Sequence, residues 1–197
     1  AWFGEGNKPT KKIIYNETIK SLNNGNTFYT YQNGLPKIRE GLSNYMNNVF
    51  DLDTIPENHS LVTGGMLGIK IICDMLIEKG DEVVIVGPVW PNIRSSVILK
   101  EGKIKEVNLK LTDKWGLDFK ELFSAVSDKT KMVFINSPSN PTGWMLTEEE
   151  QEKIISFLRK KNCWLISDEV YHQIVYDRDN SSSFLKFSKS DDKLIVI

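Results

Sequence analysis

Asp168 is the first residue in this sequence that calls for a chemical explanation. It follows the apolar run Trp164-Leu165-Ile166-Ser167, and a lone carboxylate at the end of such a run is costly unless it meets a cation. It is a helix cap, half of a salt bridge, or the partner of a protonated ring nitrogen. Three residues on, Tyr171 offers a phenol. Asn140, set in Asn140-Pro141-Thr142-Gly143, is a turn former or an amide donor to the same ligand oxygen that Tyr171 would reach. Trp90, in Gly87-Pro88-Val89-Trp90-Pro91, is a rim or core aromatic, or a surface on which a flat ring stacks. Thr63-Gly64-Gly65-Met66 leads into an apolar segment. Such an approach is a plain turn or a phosphate seat, because the first N–H groups and the positive dipole end of a helix face outward there. It is neither the G-x-G-x-x-G dinucleotide fingerprint nor a P-loop, since no Gly-Lys-Ser/Thr follows.

These side chains need a frame that brings them together. The runs Glu82–Val86, Ile104–Val107, Met132–Ile135, Trp164–Ser167 and Leu194–Ile197 read as strands. Asn92–Leu99 and Asp118–Val126 read as helices, and Thr147 opens another. Thr147 with Glu150 makes a capping box, acids fill the first turn, and Arg159, Lys160 and Lys161 fill the last. Upstream, Lys12–Leu22 forms a first helix. Leu35, Ile38, Leu42, Tyr45, Met46 and Val49 put an apolar stripe on a second, and Met66–Leu76 is apolar almost all round, as in a helix buried against a sheet. This alternation predicts an α/β fold, three αβα layers around a mostly parallel sheet. Ligands of such sheets sit outside the carboxyl ends of the strands. The loops bearing Trp90, Asn140 and the Asp168–Tyr171 pair all leave from those ends. A phosphate seat, a stacking aromatic, a carboxylate for a cationic ring nitrogen and two donors to a phenolate oxygen together describe pyridoxal phosphate.

Composition narrows the class. Across 197 residues, 25 Lys plus Arg face 26 Asp plus Glu, a net charge of −1, a balance that argues against a broad electrostatic nucleic-acid binder, which needs a basic face to neutralise phosphates. Charged residues at 26% and hydrophobic residues at 40% suit a globular chain with a sizeable core. No apolar run approaches the ~20 residues of a membrane span, and no targeting signature opens the chain, so the expected location is the cytoplasm. Cys73 and Cys163 stand far apart in apolar segments, which predicts buried thiols, no disulfide framework and no metal site. We divide the chain into an N-terminal arm with the first helix, 1–34, and a cofactor-binding domain, 35–197. An opening without Met and an ending on an apolar strand suggest a piece of a longer chain.

The motifs resemble those of the class I/II aminotransferases of the aspartate aminotransferase type, which are fold-type I pyridoxal-phosphate enzymes. Tyr29 with Gly34-Leu35-Pro36-Lys37-Ile38-Arg39 is similar to the family's Tyr and G-L-P-x-L-R segment. Asn136-Ser137-Pro138-Ser139-Asn140-Pro141-Thr142-Gly143 is similar to N-x-P-x-N-P-T-G, and Asp168-Glu169-Val170-Tyr171 to D-E-x-Y. The resemblance implies that Gly65 and Met66 supply phosphate-binding amides, with Leu67 standing where the family often has a Thr, Ser or Gln that also bonds the phosphate. It implies that Trp90 stacks on the ring, that Asn140 and Tyr171 bond its hydroxyl, and that Asp168 pairs with its nitrogen. Tyr29 would reach the cofactor of a partner subunit, making a homodimer with shared sites, and Gly6 with Asn140 would approach the substrate. The Schiff-base lysine is expected beyond Ile197, since Lys186, Lys189 and Lys193 precede the last strand. The implied activity is transfer of an amino group from an amino acid to a 2-oxo acid, in amino acid metabolism, with residues 1–197 alone inactive. A C–S or other β-eliminating lyase of the same fold, or a non-catalytic binding or dimerisation module, would share these motifs.

Overall fold

A computed structural model describes residues 6–197. Two helices, α1 (Lys12–Asn23) and α2 (Pro36–Phe50), precede α3 (Gly65–Leu76). Then strands and helices alternate: β1 (Glu82–Gly87), α4 (Asn92–Leu99), β2 (Lys103–Asn108), a short hairpin of β3 (Lys110–Leu111) and β4 (Trp115–Gly116), α5 (Phe119–Ala125), β5 (Thr130–Asn136), α6 (Glu148–Lys161), β6 (Trp164–Asp168) and β7 (Leu194–Val196). The main sheet has five strands in the order β2-β1-β5-β6-β7, and every pairing in it is parallel.

The strands are apolar throughout because both of their faces are covered. Val84, Val86, Val133, Ile135 and Leu165 point to the side packed by Leu122 of α5 and Ile154, Ile155 and Leu158 of α6. Their neighbours Val83, Ile85, Met132, Phe134 and Ile166 point to the side packed by Ile69, Ile72 and Cys73 of α3 and Ile93 and Val97 of α4. The period-two alternation of a strand thus divides one apolar run between two cores, which is the expected three-layer arrangement.

Local signals place most boundaries. Asp118 caps α5 by accepting from the amides of Lys120 and Glu121 at 3.0 and 3.2 Å. Thr147 and Glu150 exchange the two hydrogen bonds of the capping box, and α6 closes on Asn162 in the left-handed conformation, φ 51°. Both cysteines are buried and free, and burial pushes each thiol up to about 11.

Three elements differ from the expectation. α3 is not buried all round: Ile69, Ile72 and Cys73 face the sheet, while Leu67, Ile71 and Met75 form an exposed stripe, because a helix in an outer layer has only one sheet to lie on. The stripe of α2 lies half open, with Ile38 and Tyr45 exposed, since Leu42, Tyr45 and Met46 border a cavity rather than a closed core. The β3–β4 hairpin carries no signal in the sequence, its strands of two residues being too short to show any alternation. α1 buries none of its residues.

Candidate functional site

The strand order reverses between β1, which continues to β2, and β5, which continues to β6 and β7. The loops after β1 and β5 therefore diverge at this point and leave a crevice above the sheet. Trp90 follows β1 and Asn140 follows β5, and they meet there: the Trp90 amide donates to the Asn140 carbonyl at 3.1 Å. Trp90 remains 44% exposed, so its indole has room to meet a ligand.

Asn136, at the end of β5 and 4% exposed, organises the cluster. Its Nδ2 donates to the Asp168 carbonyl at 3.0 Å, and its Oδ1 accepts from the Asn140 amide at 2.8 Å. One side chain thereby locks the β5 loop to the end of β6. Asn140 Nδ2 then lies 3.3 Å from the Tyr171 hydroxyl as its donor. The motif resemblance assigns Asn136 no role, although an Asn ending an otherwise apolar strand is itself a signal, because a buried amide must be satisfied on both sides.

Asp168 closes β6 and is half-buried. Its Oδ1 accepts only the Val170 amide, at 3.3 Å, and among the described residues it forms no ion pair. Desolvation raises its pKa, and the Val170 amide only partly opposes that. A cation brought to Asp168 would reverse the shift, so the site favours a positively charged ligand atom. Glu169 points elsewhere and is 3% exposed. Burial raises its pKa, while Ser167 Oγ and the Phe184 amide donate to its Oε1 at 2.9 and 3.0 Å.

The amino end of α3 completes the arrangement. The amides of Leu67 and Gly68 bond the Gly64 carbonyl at 3.0 and 3.2 Å. Those of Gly65 and Met66 open the helix with no carbonyl of a preceding turn to accept them. A Cβ at Gly64 would meet nothing within 4 Å, and one at Gly65 only Ile197 Cγ2 at 3.5 Å, so the space before this helix end is open. Ile197 ties α3 to the strand ends, its amide donating to Ser167 O at 2.9 Å and its carbonyl accepting the Glu169 amide at 2.8 Å. A cavity of about 590 Å³ borders Gly64, Gly65, Glu169 and Val170. Another of about 550 Å³ borders Asn140, Tyr171 and Tyr176.

Two residues expected at the site lie apart from this cluster. Tyr29 is fully exposed between α1 and α2, beside exposed Phe28 and Tyr31. Gly6 is exposed coil, and a Cβ placed on it would meet nothing within 4 Å. Lys193 sits at the opposite edge of the sheet, its carbonyl accepting the Leu165 amide and its Nζ donating to Asn162 O at 3.2 Å. Among the described residues no group of three or more His, Cys, Asp or Glu side chains could hold a metal, and no helix is long and apolar enough to cross a membrane.

The family model for aminotransferase class I and II matches residues 3–197. The chain belongs to this family. It is 33% identical over 179 residues to a probable aspartate aminotransferase of Methanocaldococcus jannaschii, covering 91% of this chain and 47% of that protein. It is 30% identical over 194 residues to an aspartate aminotransferase of Thermotoga maritima, covering 98% and 51%. A solved aromatic aminotransferase from Pyrococcus horikoshii superposes with a TM-score of 0.91 at 29% identity, over 98% of this chain and 52% of that one. The chain spans about half the length of the curated relatives it matches. Pyridoxal phosphate is the cofactor of class I and II aminotransferases, and the donor set described here fits it. An unpaired, partly desolvated carboxylate answers a pyridinium, an amide and a phenol side by side answer a ring oxygen, and two leading helix amides answer a phosphate.

Proposed function

We propose that this chain carries the cofactor-binding part of an aminotransferase that moves an amino group from an amino acid to a 2-oxo acid. The observation that carries the reading is Asp168, a carboxylate at a strand end with a raised pKa and no cation within reach among the described residues. Pyridoxal phosphate, when bound, supplies an electron sink for the bonds of the substrate Cα. Asp168 keeps the proton on the ring nitrogen, because its negative charge beside that atom raises the nitrogen's pKa in a partly desolvated site. Asn140 Nδ2 and the Tyr171 hydroxyl bond the ring oxygen, and Asn140 also borders the substrate. Trp90 covers one face of the ring and excludes water from it. The amides of Gly65 and Met66 hold the phosphate with the positive end of the α3 dipole, while Leu67, an apolar side chain, adds no bond there.

The same proposal extends to the assembly. The exposed aromatics Phe28, Tyr29 and Tyr31 suit contact with a second copy of this chain, with Tyr29 reaching the partner's cofactor phosphate and Gly6 approaching the substrate. Residues 1–34 act as an arm, and 35–197 as the cofactor-binding unit. Two free, buried thiols accord with a reducing compartment, which supports the cytoplasm.

The test is kinetic. Asp168→Ala in the full-length protein should lower amino-transfer turnover by several orders of magnitude, because an unprotonated ring is a poor electron sink, and Asp168→Glu should retain more of it. Turnover within about tenfold of the parent for Asp168→Ala would remove Asp168 from this role.

A further inference from the structure

We propose that His172 is a positioning residue, which braces the turn carrying Asp168 and Tyr171 against α2 through both of its ring nitrogens. The inference rests on the cofactor reading above and names the device that aims two of its side chains.

The turn needs such a brace. Asp168 is held at its carboxylate by one amide at 3.3 Å, and Tyr171 by one amide donor, also at 3.3 Å. Both bonds are long, so neither fixes a side chain by itself. The peptide between them is held far better, and from the other side. The Glu169 carbonyl accepts from the His172 backbone amide at 2.9 Å, and His172 Nδ1 lies 3.1 Å from the same oxygen.

That contact decides the tautomer. A carbonyl oxygen can only accept, so Nδ1 carries the proton of the neutral ring. Nε2 is then the acceptor, and it meets the Tyr45 hydroxyl at 2.8 Å. The chain of bonds runs from the Tyr45 hydroxyl on α2, through the imidazole, to the backbone between Asp168 and Tyr171. Packing reinforces it: the ring lies against buried Phe50 at 5.3 Å between centroids and meets the Tyr45 ring edge-on at 6.1 Å. Downstream, the His172 carbonyl accepts the Ser181 amide at 2.8 Å. His172 therefore joins a 15-residue helix, the site turn and the following loop, without contributing a group to the ligand.

Substituting His172 picks its ring signals out from those of every other histidine, so the brace can be observed directly. In the full-length protein with ¹⁵N-labelled histidine and no cofactor added, proton–nitrogen correlation should show His172 as the Nδ1–H tautomer, with His172→Phe identifying its signals. An Nε2–H tautomer would overturn the hydrogen-bond chain. Pyridoxal phosphate affinity gives the second readout. His172→Phe keeps the ring and loses both ring bonds, and should raise the dissociation constant about fivefold, the worth of one or two partly exposed hydrogen bonds. His172→Asn restores a donor near the Nδ1 position and should recover most of that affinity, and Tyr45→Phe should cost about twofold. The visible circular dichroism of the bound cofactor should weaken in the same order. A His172→Phe protein that melts lower but binds pyridoxal phosphate like the parent would reduce His172 to packing. Asp168→Ala is the reference: if it weakens binding and His172→Phe does not, the brace alone is wrong. If neither variant alters binding, the cofactor reading and the brace fall together.

Discussion

The two edges of the parallel sheet treat the same residue types in opposite ways. At the amino edge, charges are matched. Arg159, at the carboxyl end of α6, grips Asp192 through two bonds of 2.6 Å, and Glu82 at the start of β1 pairs with Lys105 at 2.7 Å. Hydrogen bonds from Arg159 hold Asp192 below the usual carboxylate range, and those from Lys105 and Ser127 do the same for Glu82. At the carboxyl edge, Asp168 and Glu169 lack ion pairs and burial moves both upward. The paired edge holds the fold together, whereas the unpaired edge has the electrostatic capacity that the proposed cofactor role requires. Carboxylates left uncompensated cost stability, and that cost persists where a bound cation is to offset it.

The largest test of this contrast is at the paired edge. Arg159→Ala strands the Asp192 carboxylate, whose side chain is 3% exposed, and should lower unfolding free energy by about 2 kcal/mol in urea at pH 7. Because the folded pKa of Asp192 is depressed, its contribution is present above the usual carboxylate range and fades as pH falls through the folded value. The difference from the parent should therefore shrink in acid. Pyridoxal phosphate affinity should hardly change, and a marked loss would show that the two edges are not separable. The reverse pattern is expected of Trp90→Ala: a loss of about 1 to 2 kcal/mol in cofactor affinity, read from fluorescence titration against the parent, with little effect on melting because the ring is 44% exposed. Thr147→Ala removes the α6 cap and should cost about 1 kcal/mol of stability. It lies at the carboxyl end of the sheet yet serves only its helix, so unchanged cofactor binding would confine the ligand role to the crevice.

The smallest effect carries the most informative sign. Asp168→Asn should raise the melting temperature of the cofactor-free protein at neutral pH, because the parent carboxylate pays for ionising in a partly desolvated place. With the folded pKa raised, that penalty is absent below the usual carboxylate range and grows as pH rises through the folded value. The gain should therefore vanish in acid, and a melting temperature lowered at neutral pH would mean that Asp168 is structural.

Much of this was legible beforehand, for reasons that differ by element. The cap of α6 was readable because it rests on residues within one turn, Thr147 and Glu150. Strands β1, β5 and β6 were readable because burial on both faces demands unbroken apolar runs. The half-open stripe of α2 and the exposed outer stripe of α3 were not, since periodicity reports which face is apolar and not whether anything lies against it.

The sequence by itself determined which chemical groups the proposed site would draw on: Asp168, Tyr171, Asn140, Trp90 and the Gly65–Met66 amides are matters of residue type and of position after a strand or before a helix. Only the tertiary structure decided how they are held. Asn136 bridges two strands, Trp90 meets Asn140 across the reversal of strand order, and His172 reaches Tyr45 from 127 positions away. Such contacts depend on which strand lies beside which. That order is chosen by the packing of two cores against one sheet, a property of the whole chain that no local spacing encodes.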